Sequence, residues 1–68
     1  MKLHQLIDLM DPNTPVCLEY RMEIYKYDHA ATLMEDYMFY EEVRELKIEA
    51  IWHSRYLYHC IVVKLELY

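Results

Sequence analysis

The chemistry open to this chain lies in four histidines, two cysteines and twelve carboxylates. The stretch IWHSRYLYHCIVV, residues 51–63, holds two of the histidines, one cysteine and the only tryptophan. A metal centre needs convergent ligands, commonly Cys and His in close pairs. His59 and Cys60 are adjacent, but on a strand adjacent side chains point to opposite faces and cannot share one ion. His53 falls in the expected turn, away from His59. No CxxC, HExxH or HxxxH spacing occurs, so neither a metal nor a cofactor is expected.

Nucleophilic catalysis needs a thiol with a base in hydrogen-bond reach. Cys17 with His29, or Cys60 with His53, stays open on residue types alone. Neither pair sits in a motif, and no long loop is available to build a pocket, so the expectation is a protein without catalytic activity. The chain has no glycine, which removes any Gly-rich phosphate loop of the usual kind. The two cysteines, 43 residues apart, are too few for a disulfide framework and read as reduced cytosolic thiols.

The remaining candidate is MEDYMFYEEVRE, residues 34–45. It gathers Glu35, Asp36, Glu41, Glu42 and Glu45 around Tyr37, Phe39 and Tyr40. One reading is a solvated helix edge with its tyrosines folded inward. The functional reading is an acidic and aromatic docking patch made by Glu35, Asp36, Tyr37, Tyr40, Glu41 and Glu42. Tyrosine supplies contact area at little entropic cost, and carboxylates steer toward a basic partner. A basic partner would often be a protein whose surface holds nucleic acid.

Composition narrows the classes. At 68 residues one domain, 1–68, is expected, with a marginal core. Acidic residues outnumber Lys and Arg by 12 to 7, and the net charge of −5 opposes direct nucleic-acid binding. The composition is 56% hydrophobic with eight tyrosines. That excludes disorder and exceeds what a small core hides. His4, Gln5 and Asp8 interrupt the apolar start, so it does not read as a signal peptide. No apolar run approaches a membrane span, and the cytoplasm is the expected location.

The elements that would position these residues follow from periodicity. Leu3, Leu6, Ile7 and Met10 mark an amphipathic helix over 2–10. DPNTP at 11–15 ends it. From Val16 the period becomes two, and a second strand spans Ile24–Asp28. A turn at Met22-Glu23 would set Glu19 opposite Lys26 and Tyr20 opposite Tyr25. One unbroken strand over 16–28 is the competing reading, because the chain lacks the Asn-Gly turn signal. A short helix near 30–38 and an acidic loop to about 42 follow.

The closing pair is Leu46–Trp52 and Leu57–Glu66, turning at HSRY, with Trp52 opposite Leu57 and Ile48 opposite Ile61. The expected fold is α+β: a small antiparallel sheet of two hairpins with two short helices, in the order α-β-β-α-β-β. Its second face would carry Ile51, Tyr58, Cys60 and Val62, an apolar strip for self-association into a homodimer.

The stretches MKLHQLIDLMDPNTPVCLEY, VRELKIEAIW and CIVVKLEL resemble short acidic proteins encoded in phages and mobile elements of Firmicutes. The shared pattern is a Met-Lys-Leu start, a short amphipathic helix, an Asp, a Thr or Ser, then a strand and a closing hairpin. The resemblance implies a mobile-element accessory protein in a bacterial host cell. Some small acidic phage proteins are stoichiometric inhibitors of host defence, including anti-CRISPR proteins. No residue role carries over. The function expected is therefore a protein-binding inhibitor of a basic immune effector. The alternatives are an oligomeric sponge for a nucleotide signal and a structural, self-assembling module.

Overall fold

The computed structural model describes residues 1–55 and 60–66. Along the chain come α1 (Leu3–Leu9), β1 (Val16–Tyr20), β2 (Glu23–Tyr27), α2 (Ala30–Glu35), α3 (Tyr37–Val43), β3 (Ile48–Ser54) and β4 (Cys60–Leu65). The α+β class holds, but the helical crossover contains two helices. The acidic stretch read as a loop to about 42 is α3. Tyr37, Met38, Phe39 and Tyr40 are compatible with a helix, and Tyr40 and Val43 bury one side of it.

The sheet is mixed, in the order β2-β1-β4-β3. Both hairpins are antiparallel, and the central β1 and β4 run parallel, with Val16 opposite Ile61 and Leu18 opposite Val63. This corrects the expectation of a purely antiparallel sheet. Parallel strands are ordinarily covered on both faces and read as continuous apolar runs. VCLEY and CIVVKL read so, and nearly every residue in them is buried, while β2 and β3 form the exposed edges.

The first turn lies one residue earlier than expected. Tyr20 pairs with Glu23, leaving Arg21-Met22 as a two-residue loop. Both loop residues have positive φ, 53° and 64°, the mark of a type I′ turn whose twist suits a hairpin. The pairing is Glu19 with Ile24 and Leu18 with Tyr25. The shift along β2 is two residues, so the expected faces survive.

The second hairpin departs further. Trp52 stands opposite Val62, five positions beyond Leu57, and Ser54 pairs with Cys60. An odd slip moves every side chain to the other face. Trp52 and Ala50 therefore lie on the face of Val62 and Lys64, and Ile51 on the face of Val63. Between Ile48 and Ala50 the register shifts. Glu49 is the extra residue of a bulge, and it returns Ile48 to a place against the main core. The expected turn residue Tyr56, with Leu57, Tyr58 and His59, lies outside the described residues.

The main core fills the side of the sheet that carries the helices: Leu3, Ile7, Val16, Leu18, Leu33, Val43, Leu46, Val63 and Leu65. Helix ends leave backbone donors without intrahelical partners, and here other segments supply acceptors. The N–H groups of Leu3 and His4 donate to the carbonyls of Leu46 and Arg44. Those of Ala30 and Ala31 donate to Thr14 and Pro12. The DPNTP segment thus terminates α1 and also caps α2. Its own turn is held by Asn13 N–H donating to the Asp11 carboxylate at 2.8 Å. Among the described residues no helix is long and apolar enough to cross a membrane.

Candidate protein-docking site

Asp36 joins α2 to α3. Its φ and ψ of −77° and 71° break the helix. Its N–H donates to Leu33 and Thr32, and its carbonyl accepts from Tyr40. Its carboxylate accepts the Tyr27 hydroxyl at 3.0 Å. Burial, then this hydrogen bond and the nearby charge, push the Tyr27 phenol up to about 12. One residue thus ends a helix, starts another and ties both to edge strand β2.

Phe39 docks α3 on the sheet. Its ring centroid lies 4.5 Å from that of Tyr25, 6.3 Å from Tyr20 and 6.4 Å from Tyr27. These distances span the range in which aromatic pairs attract. With Phe39 and Tyr40 turned in, the rest of α3 is turned out. Tyr37 is 70% exposed and Met38 86%. Glu35, Asp36, Glu41 and Glu42 are exposed beside them, and Met34 is partly so.

Five of the six expected contact residues are therefore exposed on α2, α3 and their junction. Tyr40 is not: it is 8% exposed, belongs to the main core, and has the Arg44 guanidinium 5.6 Å from its ring centroid. In its place stands Met38, which the composition of the stretch did not single out. The signal was available. In a helix that buries positions 40 and 43, positions 38, 41 and 42 face away. Glu41 is partly offset by Arg44, 3.6 Å away. Glu42 raises the Tyr25 phenol, after the larger effects of the Glu23 hydrogen bond, burial and the Glu23 charge.

The expected self-association strip does not form one exposed surface. Cys60 and Val62 share the sheet face away from the main core but are buried, in a small cluster with Cys17. Ile51 is half-exposed and on the opposite face, because of the odd register. Tyr58 lies outside the described residues.

The residues weighed for chemistry are separated or paired otherwise. His53 pairs across β3 and β4 with Ile61, whereas Cys60 pairs with Ser54, so His53 and Cys60 point to opposite faces. The His29 ring nitrogen sits 3.3 Å from the Asn13 carbonyl. The contact partner of Cys17 is Cys60, with the two sulfurs 2.7 Å apart. Burial, then the contact with Cys60, push the Cys17 thiol up to about 12, against a smaller lowering by Lys26. Among the described residues, no group of three or more His, Cys, Asp and Glu side chains could hold a metal ion. Comparison with protein-family models, curated proteins and solved structures finds no match to this chain.

Proposed function

We propose that this chain is a small acidic protein-binding module of a phage or mobile element. It acts in the bacterial cytoplasm as a stoichiometric, non-catalytic inhibitor of a defence effector, in the manner of an anti-CRISPR protein. It does so by occupying a basic surface that the effector uses for nucleic acid. The observation that carries this reading is the exposure of Tyr37 and Met38 at the start of α3, flanked by Glu35, Asp36, Glu41 and Glu42. Apolar anchors inside a ring of like charge provide both desolvated contact and steering. The net charge of −5 makes the whole body complementary to such a surface. The test is capture of partners from bacterial lysate by the wild-type chain and by Glu41→Lys/Glu42→Lys. A nucleic-acid-binding protein held only by the wild type supports the reading.

A second reading, self-association, is favoured by Ile51 and Trp52, both more than two-fifths exposed on edge strand β3. Exposed edges readily accept another strand. Light scattering at high concentration tests it, and a monomer there removes it.

A further inference from the structure

We propose that Cys17 and Cys60 form a two-electron redox site that closes into an intramolecular disulfide across the β1 and β4 pairing. The two residues lie 43 apart in the sequence, yet parallel pairing brings them to one face of neighbouring strands, diagonal to each other. Cys17 stands opposite Val62, and Cys60 lies two residues before Val62 on the same face. Their sulfurs are 2.7 Å apart, against ~2.05 Å in a disulfide, so closure needs only a small displacement. Nothing in the main core is disturbed, because the pair sits with Val62 in its own cluster on the other face.

The reaction needs an oxidant, and a low-molecular-weight disulfide such as oxidised glutathione supplies it. One cysteine, as its thiolate, attacks that disulfide and expels one glutathione thiolate. The other cysteine then attacks the protein sulfur of the mixed disulfide and expels the second. Two protein thiols and one small disulfide become one protein disulfide and two small thiols. Both cysteines are buried, at 1% and 0% exposure. Exchange in the native state therefore waits on local opening, and a disulfide once closed is shielded from reductant. The closed bond would span 43 residues of chain and restrict the unfolded ensemble strongly. It would also fix the parallel β1 and β4 contact, the pairing of longest sequence separation in the sheet.

The experiment refolds the full chain from urea in glutathione buffer, oxidising in one arm and strongly reducing in the other. Unfolding gives both sulfurs access, so burial cannot mask the outcome. In the oxidising arm the expected product is a monomer lighter by two hydrogens, with no thiol titratable in denaturant. Its Tm should exceed that of the reduced protein by on the order of 10 °C. Cys17→Ala and Cys60→Ala should each lose this gain while the reduced forms stay folded. If either variant fails to fold, the wild-type mass and thiol count still decide. Two free thiols, persistent glutathione adducts, or dimers linked between chains in the oxidising arm would overturn the proposal.

Discussion

The Tyr27 hydroxyl donates to the Asp36 carboxylate at 3.0 Å, and so edge strand β2 holds the junction of α2 and α3 in place. A net hydrogen bond of this kind contributes about 1 kcal/mol. Tyr27→Phe should lower Tm by roughly 4–8 °C and weaken partner binding, since it frees the acidic junction without touching its charge. Calorimetry and a binding titration on the same variant check both effects.

Met22 occupies a left-handed position with φ of 64° and is 97% exposed. A non-glycine residue there is strained, and its side chain packs on almost nothing. Met22→Gly should stabilise the protein by about 0.5–1 kcal/mol, net of the extra freedom glycine gives the unfolded chain. The urea midpoint should rise with the slope unchanged. Arg21, also at positive φ, stacks over the Tyr20 ring at 5.2 Å, so replacing it should gain less.

Phe39 is the side chain through which α3 meets three tyrosines of the first hairpin. Phe39→Ala should cost about 2–4 kcal/mol, whereas Met38→Ala, on the outward side, should leave the urea midpoint almost unchanged. A large loss from Met38→Ala would mean that α3 is turned differently.

Alkaline pH should destabilise the fold. Cys17 is raised from 9.0 to about 12 and Tyr27 from 10.0 to about 12, each chiefly by burial. The unfolded chain therefore releases these protons first. The associated stability is complete below pH 9.0 and is lost as pH rises toward about 12. Cys17→Ala should delay the onset of the decline toward pH 10.0, where Tyr27 begins to titrate in the unfolded chain. Urea midpoints measured across this range would show it.

Much of this architecture was legible. Leu3, Leu6, Ile7 and Met10 mark α1 because one face of it is packed on the core, and the alternation along β2, with Tyr25 and Tyr27 turned to the core, marks the first hairpin. The second hairpin was legible as an antiparallel pair, but its register was not, for a physical reason. Leu46, Ile48, Ala50 and Trp52 alternate as if all met the core, but the bulge at Glu49 splits them. The inward face of β4, with Ile61, Val63 and Leu65, was legible, but its parallel pairing with β1 was not. That long-range pairing leaves no mark in local periodicity, and it also brings the Cys17 and Cys60 sulfurs to 2.7 Å. At the candidate docking site the carboxylates could be read from composition, while the direction of Tyr40 depended on where α3 begins.

We propose that the α2 and α3 surface binds a basic partner through Tyr37, Met38 and its carboxylates. Quantitative capture from bacterial lysate tests it most directly, comparing wild type, Glu41→Lys/Glu42→Lys, and the same charge change at Glu49→Lys/Glu66→Lys. The expected result is a nucleic-acid-binding partner whose retention falls at least tenfold, about 1.4 kcal/mol, only when Glu41 and Glu42 are reversed. Retention by the wild type should also weaken as salt rises. Equal retention by all three proteins, or loss in the Glu49 and Glu66 variant alone, would contradict it.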